Sequence, residues 1–173
     1  MFLARSRSLF FMAFTAGALA LGASLYLEYV VGLEPCPLCT VQRFFLVLFA
    51  AVCLIATLHG PKRTGCYVYW LLNIVSCLAG MVTAWRHVLL QNEPVERWLA
   101  CSPGLEYLLG TMSWRCALTQ VFQGSAECTR ISWTLFDMSI PEWSLLFFVG
   151  MISLGIFQLL QLLRSTGWIA VKG

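Results

Sequence analysis

Charge is what this chain has least of. Only 11% of its 173 residues are Asp, Glu, Lys or Arg while 60% are apolar, so its apolar stretches have to be tested as bilayer spans before any soluble core is assumed. Histidine is scarcer still, with only His59 and His87 present. No internal repeat, heptad seam or low-complexity tract is visible, which leaves one unrepeated unit, 1–173, as the simplest organisation.

Four stretches are long and apolar enough to cross a membrane. Leu9 to Leu27, Cys66 to Trp85 and Ser144 to Leu163 contain no charge, and at about 1.5 Å of rise per residue each matches a hydrocarbon core roughly 30 Å thick. Phe44 to Leu58 is shorter. To cross as a helix it must recruit Thr40 to Arg43 or His59, which puts Arg43 near the membrane–water boundary. The spans are therefore expected at about 9–27, 41–59, 66–87 and 144–163, with loops at about 28–40 and 88–143. The first stretch also has features of a cleaved secretory signal, since Arg5 and Arg7 precede it and Ala18, Ala20 and Ala23 offer small residues. It exceeds the usual apolar length of roughly 7 to 15 residues, so it is expected to be retained.

Acidic residues are missing from one side altogether. With the N-terminus inside, segments 1–8, 59–65 and 164–173 hold Arg5, Arg7, Lys62, Arg63, Arg164 and Lys172, the short-loop basic bias that orients a membrane protein. Every acidic residue falls in the two outer loops or at their borders, as expected if the spans are correctly drawn. The fold class is thus an all-α membrane protein, an antiparallel bundle of four transmembrane helices with one long outer loop and both termini inside. His59 and His87 then lie about a bilayer apart, which excludes their ligating one haem.

The inner turn from His59 to Gly65 is too small for a site, and its Gly and Pro break both flanking helices. Ala16 with Ala20 and Gly80 with Ala84 read as packing positions. Short helices are possible at 95–100 and 113–122. The piece from Trp133 to Trp143 reads either as a segment lying in the headgroup layer or as the lead-in to the last span.

This topology divides the eight cysteines. Cys53 and Cys77 sit inside spans and Cys66 at an inner edge, where buried thiols usually act as small apolar fillers. Cys36, Cys39, Cys101, Cys116 and Cys128 lie outside, in a compartment that permits disulfides if the membrane faces a periplasm. Cys36-Pro37-Leu38-Cys39 is a C-x-x-C. No second tightly spaced ligand pair accompanies it, so redox use is preferred to zinc and no metal is expected. Pro35 and Pro37 mark a helix start, where outward-pointing N–H groups stabilise a thiolate. Arg43 follows Cys39 by one helical turn and shares its face, either to favour that thiolate and hold an acceptor beside it or to snorkel to headgroups. His87 ends the third span at the same level, with Gln91 one turn beyond. From spacing alone, any two of Cys101, Cys116 and Cys128 could pair.

These residues resemble the DsbB family of quinone-coupled thiol oxidases in bacterial inner membranes. The match runs through Pro35-Cys36-Pro37-Leu38-Cys39 with Gln42-Arg43, Arg86-His87 through Gln91, Gln120-Val121-Phe122 and Gly124 leading to Cys128, and Met138 with Ile140-Pro141-Glu142-Trp143. It covers roughly residues 9–163. The resemblance implies a redox pair of Cys36 and Cys39 with Cys39 facing a quinone, ubiquinone above other species. It further implies Arg43 and His87 beside the quinone ring, and a second redox pair of Cys101 and Cys128. The implied partner is a DsbA-like thioredoxin-fold protein, alongside membrane lipid and the quinone pool and without nucleic acid; electrons pass from that protein through both cysteine pairs to the quinone. Cys116 departs from the simplest family pattern and is expected to be a spare thiol. A vitamin K epoxide reductase-like enzyme and a tetraspanin-like scaffold are the rivals. The C-x-x-C opening the second span, rather than a later one, favours the DsbB pattern over the first.

Overall fold

The computed structural model describes residues 2–91, 128 and 133–170, with side chains described from 6 to 164 within those ranges. Four long helices dominate it: α1 (Phe2–Tyr29), α2 (Pro37–His59), α3 (Arg63–Gln91) and α4 (Ile140–Ala170). Each is long and apolar enough to cross a membrane, which makes this a multi-pass membrane protein. The helices run past the apolar stretches, and α2 recruits both of the flanks available to it, reaching back to Pro37 and forward to His59.

Local chemistry sets the ends of α2. Cys36 is its N-cap, with extended backbone (φ −68°, ψ 162°), and Pro37 occupies the first turn, where its missing N–H costs nothing. At the other end Gly60 adopts the left-handed conformation (φ 58°, ψ 55°), and its N–H closes on the Ala56 carbonyl at 3.1 Å. Pro61 then prevents continuation.

Contacts at both ends show that successive helices run antiparallel. Arg43 on α2 reaches Ser24 and Glu28 near the C-terminus of α1, while at the opposite end Arg7 Nε donates to the Thr57 carbonyl at 3.2 Å. His59 and Tyr69 meet at 2.8 Å across the α2–α3 turn. α2 and α3 form the middle of the bundle, with α1 packed on α2 and α4 on α3.

The core runs through Phe10, Phe49, Cys53, Cys77, Ala84 and Phe148. Close approach depends on glycine at Gly80: a Cβ there would lie 2.3 Å from Phe148 Cζ. The other faces carry exposed Leu19, Phe44, Leu58 and Leu71, a distribution that suits lipid as the surrounding medium.

The segment before α4 holds a feature the sequence reading did not contain. β1 (Thr134–Leu135) and β2 (Met138–Ser139) pair antiparallel, Thr134 opposite Ser139 and Leu135 opposite Met138. Phe136 and Asp137 make the turn with φ of 54° and 61°, the two left-handed residues that a two-residue hairpin of the right twist requires. α4 follows at once, and the Glu142 carboxylate on its first turn accepts from the Ser139 N–H at 2.6 Å, one of the two bonds of a capping box. The last span therefore starts as a helix four residues before its uncharged run. The short helices expected at 95–100 and 113–122 lie outside the described residues.

Candidate functional site

The cap that starts α2 also places both sulfurs of the C-x-x-C. Cys36 Sγ accepts from the Cys39 N–H at 3.3 Å, and the two sulfurs lie 3.0 Å apart. Closing them to a disulfide requires a movement of about 1 Å. Cys36 is buried and Cys39 half-buried, so the pair presents Cys39 to its surroundings.

Antiparallel packing carries His87 from the C-terminal end of α3 to these thiols. Its Nε2 lies 3.6 Å from Cys36 Sγ and its Nδ1 3.8 Å from Cys39 Sγ, so one imidazole bridges both sulfurs. Gln42 fixes the ring: its amide nitrogen is 3.3 Å from His87 Nδ1 and donates to the Thr83 carbonyl at 3.4 Å. In that orientation Gln42 supplies the hydrogen to Nδ1, which puts the ring proton on Nε2, facing Cys36.

Arg43 is one turn below Cys39 on α2, and it is held from α1. Its guanidinium pairs with Glu28, donates from Nε to Ser24 Oγ at 3.0 Å and from Nη2 to the Ser24 carbonyl at 3.4 Å. Ser24 and Glu28 are themselves one turn apart, so α1 offers a two-point clamp. Neither was singled out in the sequence; the available signal was a lone acid ending an otherwise uncharged span.

Cys128 is the one long-loop cysteine among the described residues. It is wholly buried and packs with Cys36, Leu38 and Leu90, with Cys39 at the edge of the cluster. Cys101 and Cys116 lie outside the described residues, so their pairing is not part of this geometry.

Beside the thiols is a cleft that opens to the surroundings. Leu27, Leu33, Ile140 and Pro141 give it apolar walls, and Cys39, Arg43, His87 and Gln91 converge on it with polar groups. A few convergent polar groups on apolar walls are the usual chemistry of small-molecule sites. The floor is tied in place, because Ser139 Oγ lies 2.9 Å from both Gln91 Oε1 and Glu142 Oε2.

Four membrane-spanning helices with a dithiol capping one of them define a class of integral-membrane thiol proteins. Comparison with known proteins resolves it further. Residues 6–158 match the family model described as Disulfide bond formation protein DsbB. Disulfide bond formation protein B 2 of Pseudomonas fluorescens (strain Pf0-1) is 54% identical over 161 residues, 93% of this chain and 88% of that protein. Disulfide bond formation protein B of Stutzerimonas stutzeri (strain A1501) is 45% identical over 159 residues, 92% and 98% of the two chains. Disulfide bond formation protein B 1 of Pseudomonas aeruginosa (strain PAO1) is 44% identical over the same shares. The chain belongs to the DsbB family, and with it to the thiol oxidoreductases of disulfide bond formation.

Proposed function

We propose that this chain, a single four-span unit of a bacterial inner membrane with both termini in the cytoplasm, reoxidises a DsbA-like thioredoxin-fold protein and passes the electrons to a quinone, ubiquinone before other species. The observation that carries the reading is the convergence of Cys36, Cys39, His87 and Cys128 beside a cleft that also holds Arg43. The cleft fits a quinone ring: apolar walls suit its faces, and a clamped guanidinium with an imidazole suits its carbonyl oxygens.

The entry pair is Cys101 with Cys128. A reduced dithiol partner attacks Cys101, so the Cys101–Cys128 bond breaks and Cys128 leaves as a thiolate. Cys128 then attacks Cys36, breaking the Cys36–Cys39 bond and freeing Cys39. The partner's second thiol displaces Cys101, and the partner departs as a disulfide. Cys101 in turn takes back Cys128 and releases Cys36. Two electrons and two protons have then moved from the partner to Cys36 and Cys39.

A bound quinone supplies a two-electron, two-proton acceptor. The protein's own residues prepare that transfer. His87, with its ring proton directed at Cys36, stabilises negative charge on sulfur. Arg43 holds a cation at the cleft wall, and Glu28 with Ser24 keeps it from turning away. Cys36 and Cys39 close again as a disulfide over a short distance.

The test uses the purified full chain in detergent with a reduced thioredoxin-fold dithiol protein and a short-chain ubiquinone. One quinone should be consumed for each dithiol oxidised. Dithiol oxidation that proceeds without quinone consumption rejects the proposal.

A further inference from the structure

Three metal-ligating groups from three distant parts of the chain converge at the outer end of the bundle. Cys36 Sγ, a ring nitrogen of His87 and Cys128 Sγ all lie within 4.8 Å of one another, and all three side chains are buried. Tetrahedral zinc, with bonds of about 2.3 Å to sulfur and 2.0–2.1 Å to nitrogen, sets its ligands roughly 3.5–3.8 Å apart. Cys36 Sγ and His87 Nε2 stand at 3.6 Å, inside that range. Cys39 is spaced from Cys36 as in the C-x-x-C half of structural zinc sites, and its sulfur, 3.0 Å from that of Cys36, has to swing outward by roughly 0.5–0.8 Å to reach ligand spacing. The tight second pair that the linear sequence lacks is supplied by the fold, as His87 from α3 and Cys128 from the long loop.

We propose that the fully reduced chain binds one Zn²⁺ through Cys36, His87 and Cys128, with Cys39 completing a tetrahedral set. Binding involves no electron transfer. Each coordinating thiol gives up its proton to solvent, and four bonds to the metal form. For His87 to ligate through Nε2 its proton must sit on Nδ1, and turning the Gln42 amide, at the cost of its bond to the Thr83 carbonyl, presents an oxygen to accept it, the usual support for a metal-bound imidazole. The cleft that borders Cys36, Cys39 and His87 provides a route in.

The consequence is inhibition confined to one redox state. With Cys36 and Cys39 joined as a disulfide, two of the four sulfur and nitrogen donors are consumed and the site does not exist. With both reduced, the metal occupies the sulfurs that must exchange. This goes beyond the quinone reading and does not rest on it, because the ligands need only be reduced.

Cobalt(II) is the probe, since thiolate-to-cobalt absorption and intense visible bands report sulfur ligation in tetrahedral geometry. The full chain carrying Cys101→Ser and Cys116→Ser, purified in detergent and reduced, should bind one Co²⁺ with both signals. Zn²⁺ should displace it, and oxidising the protein should abolish it. Adding His87→Ala or Cys128→Ser should each weaken binding by at least about 10-fold. Absence of thiolate-to-cobalt absorption in the reduced parent overturns the proposal without any further variant, and so does affinity unchanged in both substitutions. Failure of the quinone assay with the cobalt signal intact would reject the electron-transfer reading alone.

Discussion

Six described cysteines fall into two groups, Cys36, Cys39 and Cys128 in the first and Cys53, Cys66 and Cys77 in the second, and burial sets only Cys39 apart. Cys36 and Cys128 are 7% and 0% exposed; Cys53, Cys66 and Cys77 are 0%, 0% and 1%. What differs is company. The first group has a helix N-terminus, an imidazole that touches two sulfurs and a cleft with a clamped arginine. The second group has neutral neighbours: Cys53 donates to Asn73 Oδ1 at 3.5 Å, and Cys66 lies 3.5 Å from Ser6 Oγ. A sulfur becomes reactive when nearby groups stabilise its anion, and only the first group has them.

The largest expected effect comes from converting a thiol of the first group to an alcohol. Cys39→Ser should bring disulfide transfer to the partner down to the uncatalysed background in the coupled assay, because no thiol remains to close the pair. Next in size is Arg43→Met. Loss of a charged hydrogen-bond donor is worth about 1.5–3 kcal/mol, so quinone reduction should slow by roughly 10- to 100-fold. Stopped-flow thiol exchange with the reduced partner should keep its rate. Equal slowing of both steps would remove Arg43 from the acceptor side of the comparison.

Packing gives the third effect, and it separates stability from chemistry. Gly80→Ala forces Phe148 aside and should cost about 1–3 kcal/mol in detergent unfolding. Adding Phe148→Leu should recover part of it. Smallest of all, Cys53→Ala or Cys77→Ala should leave turnover within about twofold and lower stability by about 1 kcal/mol. A large loss of turnover from either would mean that the second group takes part after all.

How much of this was legible along the chain depended on range. Four uncharged runs announced the helices, and C-x-x-C with Arg43 one turn on announced one face of the site, because both signals lie within a few residues. Ser139-Ile140-Pro141-Glu142 was equally local and carried the S-x-x-E pattern of a capping box, yet the aromatics around it read equally as an interfacial stretch or as the lead-in to the last span. The hairpin before it had no such sign. Its turn uses Phe136 and Asp137 where Asn-Gly or Asp-Gly is the usual signal. The clamp of Glu28 and Ser24 on Arg43, the hold of Gln42 on His87 and the seat of Cys128 against Cys36 all join separate elements. No spacing encodes them; they exist only once the helices have packed.

The atom that caps α2 is also one of the four sulfurs that the proposed exchange chemistry uses. While Cys36 sulfur accepts from the Cys39 amide, the first turn of the helix is anchored. When that sulfur is drawn into a bond with Cys128, the anchor shifts with it. The Cys39 N–H is thus a gauge of the catalytic state written into the backbone, and its exchange with deuterium should quicken each time the two loops are joined.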